Sequence, residues 1–434
     1  MKHIRSGALK ILTLAMFFVP LFYSVSLAGS NMVEQLPPEY ENIQGVLIAW
    51  LPYGPVPNKP LSAMSAEEIT RLNEKSTIAE QGRNRKYSDA INKNMAEQIK
   101  LIKDKTRSGN DGPGPEVYPY HYMMLDLVKA IIESGVMAHI VTDDPSICSQ
   151  IVDFMIACGF KSHELKKIRF HCFWLDSIWI RDYGPWVTRV NDRLAVIDNE
   201  YYFEREADNI FPEFFAGIYN LPRTDFDEIS SEGGNILTDG QDTGFSTEAV
   251  LNENPGIERD DIIELFKDVL NLDEFVFLPG SFNDNIPGIF AALGATGHVD
   301  MGLKLLSDSK VIIGDFEGDS PGKELLDSWA QWFYNHTNPK GKPYEVFRVT
   351  GKTNGIEPYS YINSVIINKT IIVPQFGDAA RDKEAIKVYK NAMPGYKTIG
   401  VRSELLTLWS GGLHCITREI PEGILKESID EVAL

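Results

Sequence analysis

Asn363-Ser-Val-Ile-Ile-Asn-Lys-Thr-Ile-Ile-Val-Pro-Gln375 is the stretch on which the fold turns. Two apolar, β-branched runs flank Asn368-Lys369, so the segment reads as two strands joined by a tight turn. A helical pattern follows over Ala380–Asn391. The same grammar recurs upstream. Phe275–Leu278, Val311–Ile313 and Glu345–Val349 read as strands, while Asp260–Leu270 and Gly322–Phe333 read as helices. This is α/β patterning, but the strands come in pairs. Pairs argue against a plain doubly wound sheet and for repeated ββαβ-like units. No clean sequence repeat accompanies them.

Nearer the N-terminus, Gly45–Leu51 reads as a strand, and a helix over Leu125–Ser134 leads into a strand over Met137–Val141. Between them the character changes. Residues 54–116 are polar, hold a helical pattern around Ala66–Lys105, and end in Ser108-Gly-Asn-Asp-Gly-Pro-Gly-Pro115. They read as an insertion in one catalytic-size domain, residues 29–434. With 434 residues and 24% charged side chains, the chain has ample sequence for a deep core.

Residues 1–28 read as a secretory signal. Lys2, Arg5 and Lys10 form a basic start, Ile11–Leu27 is apolar, and Ser26-Leu27-Ala28 supplies small residues for cleavage. An uncleaved anchor would need a longer apolar run. The expectation is export, to a periplasm or outside the cell, with no stable membrane insertion after cleavage. The net charge is −19, and removing the three basic residues of the leader takes the remainder to −22. Such a surface repels nucleic acid and anionic membranes and attracts cations; solubility alone would also account for it.

There are four cysteines, Cys148, Cys158, Cys172 and Cys415. No CxxC pair is present, so no zinc pattern arises. An exported chain could pair some of them; Cys148 and Cys158 are one option, although their segment reads as helical.

Four polar clusters carry the chemistry. The first is Phe173-Trp-Leu-Asp-Ser-Ile-Trp-Ile-Arg-Asp-Tyr-Gly-Pro-Trp186. Its alternation over Ile178–Asp182 suggests a strand end. Asp176 and Asp182, set among aromatic faces, would suit a planar cation; an internal Arg181–Asp182 pair is the other reading. The second, Ser231-Glu-Gly-Gly-Asn235, is a sharp polar turn around Glu232, which taken alone reads as a surface turn. In the third, Thr296-Gly-His-Val-Asp-Met301, His298 and Asp300 would share one face of a strand and divide proton transfer from cation binding. A metal site competes there, although the other histidines are scattered.

The fourth cluster is Trp409-Ser-Gly-Gly-Leu-His-Cys-Ile-Thr-Arg-Glu-Ile-Pro421. Cys415, on a strand edge behind Gly411-Gly412, is placed as a nucleophile or as a structural thiol. Its neighbour His414 would face the other way, as adjacent strand residues do. Cys, His and Asn363 together invite a papain-like reading, but the cysteine stands last here instead of first.

The segments WIRDYGPW, SEGGN, TEAVLNENP (Thr247–Pro255), GHVD, SYINSVIINKTIIVPQFGD and GGLHCITREIP occur in this order. Together they resemble the agmatine deiminase and bacterial peptidylarginine deiminase family, guanidine-modifying enzymes of the pentein superfamily. The resemblance spans Gly45 to Pro421 apart from the inserted stretch. It implies a five-bladed, pseudo-symmetric α/β propeller around a central active site, with no cofactor and no metal. By the same resemblance Cys415 is the nucleophile, and Asp182 and Asp300 hold the guanidinium nitrogens. His298 is the general acid–base, Glu232 orients it, and Trp179 and Asn363 line the substrate cleft. Exported relatives grip a C-terminal carboxylate with arginines shortly after the WIRD-type motif. Here that region reads Tyr201-Tyr-Phe-Glu-Arg-Glu206, with Arg205 alone between two glutamates.

The expected activity is hydrolytic deimination of a cationic guanidine substrate, with peptidyl-arginine preferred because of export. Agmatine is the alternative substrate. An amidinotransferase and a non-catalytic exported guanidine binder are the other classes; a binder has no use for the thiol. Product analysis for ureido against transferred amidino groups separates the deiminase from the amidinotransferase.

Overall fold

The computed structural model describes residues 35–51, 119–142, 145–202, 205–279, 291–353, 358–423 and 425. The expected leader, 1–28, and the expected insertion, 54–116, lie outside them. The described strands form five separate sheets of three or four strands.

The first sheet contains β1 (Ile43–Ala49), β2 (Met137–Thr142) and β3 (Ile168–Cys172), with β1, β2 and β3 running parallel. The second pairs β4 (Trp186–Val190) and β5 (Arg193–Glu200) as a hairpin, then adds β6 (Arg223–Ser230) in parallel after the helix Phe211–Tyr219. Asn191 and Asp192 both take positive φ, 51° and 61°, which matches the twist of a two-residue hairpin. In the third, β7 (Leu237–Thr238) and β8 (Thr243–Ser246) form the hairpin, and β9 (Glu274–Phe277) follows the helix Arg259–Leu270.

The fourth sheet repeats the plan with β10 (Leu303–Ser307), β11 (Lys310–Phe316) and β12 (Glu345–Thr353), joined through the helix Pro321–Asn335; β13 (Pro358–Tyr359) extends its edge. The fifth has β14 (Val365–Ile367), β15 (Thr370–Gln375) and β16 (Lys397–Arg402), joined through the helix Ala379–Ala392. The turn expected at Asn368-Lys369 is present, with Asn368 at φ 51°. Finally β17 (Thr417–Pro421) returns to pair antiparallel with β1.

Each blade is thus an antiparallel hairpin followed by a helical crossover to a parallel strand. One blade takes its hairpin from the two ends of the described chain. The paired strands read in the sequence are these hairpins, and the count of five expected from the resemblance is the count of sheets. Strands such as β14 and β15 are almost wholly buried, which is why they read as continuous apolar runs. Local signals fix the crossover helices. Ser320 and Asp378 each accept a hydrogen bond from the backbone N–H three residues on, at Lys323 and Arg381. The largest apolar cluster runs from β1, β2 and the helix Pro119–Glu133 to the helix Phe211–Tyr219 and to Leu413 and Ile416. Among the described residues no helix is long and apolar enough to cross a membrane.

Candidate active site

The polar clusters fall at equivalent places in the blades. Asp182 immediately precedes β4, Glu232 precedes β7, His298 and Asp300 precede β10, Asn363 precedes β14, and Cys415 precedes β17. Each lies on the connector that enters a hairpin, so five sequence-distant segments meet at one end of the ring.

None of these segments is a strand where the side chains act. The alternation over Ile178–Asp182 does not make a strand end. Ile180–Tyr183 is a single helical turn, with Gly184 N donating to Ile180 O at 2.9 Å. His298 and Asp300 do not share a strand face either; Val299–Met301 forms a 3-10 turn behind His298. Cys415 lies in a turn closed by Thr417 N donating to His414 O at 3.1 Å, ahead of β17. Period-two patterning misleads in all three because the turns are held by contacts remote in sequence. Arg181 N, for example, donates to Cys415 O at 3.1 Å.

His298 Nε2 lies 2.9 Å from Glu232 Oε2, and its Nδ1 lies 3.6 Å from Asp182 Oδ1. Tyr202 OH donates to the other oxygen of Glu232. Gly234 N donates to Asp182 Oδ1 at 3.2 Å. A Cβ on Gly234 would sit 2.7 Å from Asp182 Oδ1, 2.7 Å from His298 Nδ1 and 3.4 Å from Asp300 Oδ2. Three functional groups therefore converge on a spot that only glycine leaves open. The second cluster is buried, so it is a floor to this space and not a surface turn.

On the other side, Asn363 clamps the cysteine loop. Its Oδ1 accepts from His414 N at 2.8 Å and from Cys415 N at 3.4 Å, and lies 3.6 Å from Cys415 Sγ. Its Nδ2 donates to Asp300 Oδ2 at 3.1 Å. Asp300 is fully buried, and its Oδ1 has no hydrogen-bond partner among the described residues. Trp179 packs over Gly411, leaving no room for a Cβ there, and against the apolar cluster that contains Cys415.

Burial and charge tune these groups. Burial raises the Asp182 carboxyl, Glu232 and Asp300 add to the rise, and His298 opposes it, leaving about 7. Burial disfavours the His298 cation, but Glu232 and Asp182 outweigh it and lift the imidazole to about 10. The Cys415 thiol is pushed well above its ordinary range, first by burial and then by the negative charges of Asp300 and Asp182. A cation bound between those carboxylates would offset the two charges that disfavour the thiolate.

Two expected residues stand elsewhere. Asp176 is exposed and accepts from Ala207 N at 2.9 Å, so it secures the short helix Glu206–Asn209 and does not face the cluster. Arg205 donates to Tyr201 OH at 2.6 Å and stacks over Tyr202, one residue layer behind Glu232. The suggested Arg181–Asp182 pair gives way to a forked pair from Arg181 Nη2 to Glu419, at 2.8 and 2.7 Å. No disulfide joins the described cysteines; Cys148 faces Cys172, with the sulfurs 3.5 Å apart, instead of Cys158. Among the described residues no group of three metal-binding side chains could hold an ion.

Other residues went unread in the sequence. Buried Asp208 accepts from Asp176 N, Ser177 N and Ser177 Oγ and so anchors the segment leading to Trp179. Asn235 Oδ1 accepts from Val299 N at 3.1 Å and Thr247 Oγ1 at 2.9 Å, which positions the His298 turn. Both Asn235 and Thr247 lie inside the ordered motifs, and that was the available signal. Glu39, outside every motif, gave none.

A five-bladed ring with a thiol, a paired histidine and two carboxylates at its centre defines a hydrolase of the deiminase class, acting on the C–N bonds of linear amidines. The chain belongs to the Porphyromonas-type peptidyl-arginine deiminase family, whose model matches residues 114–421. It is 27% identical over 291 residues to the agmatine deiminase of Medicago truncatula, covering 56% of this chain and 75% of that one. Its fold is similar to the agmatine deiminase of Enterococcus faecalis, with a TM-score of 0.66 at 19% identity, covering 90% of this chain and 96% of that one. It is also similar to the agmatine deiminase of C. jejuni, with a TM-score of 0.59 at 16% identity, covering 91% and 97%.

Proposed function

We propose that the protein deiminates arginine within peptides, through Cys415. The observation that carries this reading is the convergence of Asp182, His298 and Asp300 on the space above Gly234, next to the Cys415 loop. Asp182 and Asp300 would take the N–H groups of a planar cation, with the unpartnered Oδ1 of Asp300 among the acceptors. Fixing the guanidinium there sets its central carbon in line with sulfur.

Binding offsets the carboxylate charges, the thiol loses its proton to solvent while His298 stays protonated, and the thiolate adds to the guanidinium carbon. Protonated His298 supplies the proton on which ammonia departs, leaving a carbon–sulfur bond in a thiouronium intermediate. Neutral His298 then takes a proton from water as that water adds to the same carbon. The carbon–sulfur bond breaks as the carbonyl forms, the remaining hydroxyl proton passes to solvent, the neutral ureido product leaves and the thiolate is restored. Glu232 holds the imidazole on this path through both steps.

The preference for peptidyl-arginine rests on the export signal read in residues 1–28 and on the peptidyl-arginine deiminase family model. Agmatine is the second reading, favoured by the names of the relatives above. Ammonia release from agmatine, free arginine, and N- and C-terminal arginyl peptides tests the choice. Fastest turnover of a peptide, lost in Cys415→Ala, is expected; turnover of agmatine alone would overturn the peptide assignment.

A further inference from the structure

Directly behind the site is a second histidine with an unusual setting. His414 is 1% exposed, and both its ring nitrogens face carboxylates. Nδ1 lies 2.7 Å from Asp300 Oδ2 and Nε2 lies 2.5 Å from Glu39 Oε1. Glu39 in turn meets the fully buried Lys304 at 2.6 Å and Arg181 at 3.7 Å. These contacts run Asp300–His414–Glu39–Lys304 through the interior. His414 does not turn toward the sulfur of its neighbour; Cys415 Sγ contacts Asn363 instead.

The arrangement leaves Asp300 asymmetric. Its Oδ2 is taken by His414 and by Asn363 Nδ2, while Oδ1 has no partner among the described residues. A buried carboxylate held on one oxygen has a fixed plane, so the direction of its other oxygen is fixed too. Glu39 does the same for His414. Swinging the histidine away would take one partner from each of two carboxylates, leaving Asp300 with Asn363 alone and Glu39 with Lys304 and Arg181.

We propose that His414 is a positioning residue for the guanidinium subsite: braced by Glu39, it locks Asp300 so that the free carboxylate oxygen faces the substrate cation. The inference rests on the deiminase reading of the same site. It assigns His414 no part in proton transfer to or from the reacting atoms, which stays with His298.

The test uses two probes of Cys415 alongside deimination by the full chain. The first is 2-chloroacetamidine, a cation shaped like the guanidinium head; the second is neutral iodoacetamide. His414→Ala is expected to lower kcat/KM about 10- to 100-fold, the loss typical when the partner of a site ligand is removed, mainly through KM. It should slow the cationic probe by a similar factor while leaving the neutral probe within about twofold, a ratio that general loosening of the fold would not produce. His414→Asn keeps a donor near the Nδ1 position and should recover part of the loss. Glu39→Gln alters the group behind His414, on the side away from Asp300, and should shift the probe ratio in the same direction by a smaller factor; it carries the test if His414→Ala does not fold. An unchanged ratio in the folded variants, with the wild type active, overturns the inference alone. A wild type inert toward every guanidine and toward 2-chloroacetamidine overturns the deiminase reading, and the inference falls with it.

Discussion

The imidazole of His298 and the carboxylate of Glu232 share a 2.9 Å hydrogen bond in a setting almost free of solvent. That contact keeps the histidine in its acid form far above the pH at which histidines ordinarily lose a proton. Burial opposes the cation and the surrounding carboxylates overcome it, bringing His298 to about 10. A raised value means that the stabilisation is complete below the unfolded histidine value near 6.5 and is lost as pH rises through about 10. Glu232→Gln should therefore move the alkaline limb of the pH dependence of kcat/KM down by one or more pH units. Superimposable limbs in wild type and variant would remove Glu232 from this role.

Asp182 and Asp300 act on the thiol in two opposing ways. They disfavour the thiolate of the free protein, and in the proposed reaction they hold the substrate cation. Asp182→Asn should accordingly abolish deimination while accelerating alkylation of Cys415 by neutral iodoacetamide about tenfold at pH 7, the equivalent of one unit of thiol pKa. Peptide mass mapping follows Cys415 separately from the other cysteines. Slower alkylation in the variant would contradict this electrostatic account.

Gly234→Ala places a methyl carbon 2.7 Å from both Asp182 Oδ1 and His298 Nδ1. The expected cost in stability is that of overpacking, about 1–3 kcal/mol, while activity should fall at least 100-fold because misplacement by about 1 Å is felt that strongly in a positioned site. Thermal unfolding and ammonia release measured on the same sample decide it. Activity within a factor of three of wild type would show that the space above Gly234 is not used.

A separate prediction concerns acid. His139 and His171 stack in the core, with Nδ1 of the first 3.1 Å from Nε2 of the second and Tyr219 OH within 3.3 and 3.5 Å. Burial holds both neutral, His171 down to about 3 and His139 well below its ordinary value. The unfolded chain binds these protons near pH 6.5 and the folded chain does not, so stability declines as pH falls from about 6.5 toward about 3. Each group contributes a slope of up to about 1.4 kcal/mol per pH unit. Urea unfolding between pH 4 and 7 measures the slope, and His171→Asn should reduce it by one proton. An unchanged slope in the variant would show that the pair does not govern acid stability.

The fold was legible where burial makes its own pattern. The hairpin around Asn368 and the crossover helices at Arg259–Leu270 and Ala379–Ala392 read directly, because apolar periodicity and turn residues are local. The number of blades was not local. It came from resemblance, since the five units share a plan without sharing residues. Among the site residues, those inside ordered motifs were found, yet their local shapes were misread. WIRD and GHVD alternate like strands but form turns, because partners remote in sequence set their backbone: Cys415 for the first and Asn235 for the second. Asp176 failed for a related reason: an acid among aromatics looks alike whether it receives a ligand or caps a helix. Glu39 was invisible, since a lone glutamate in a polar lead-in has nothing around it to mark burial.

The register of β1 and β17, with Ile48 opposite Thr417, gives the chain a clasp. Cys415 stands two residues before that clasp closes, and Glu39 stands a few residues before its other half. The blades that carry Asp182, Glu232, His298 and Asp300 are complete in themselves without Cys415, which sits just ahead of β17. Only when the last described strand finds the first does sulfur arrive among the carboxylates. Closure of the ring and assembly of the cluster are thereby one event, the pairing of β17 with β1.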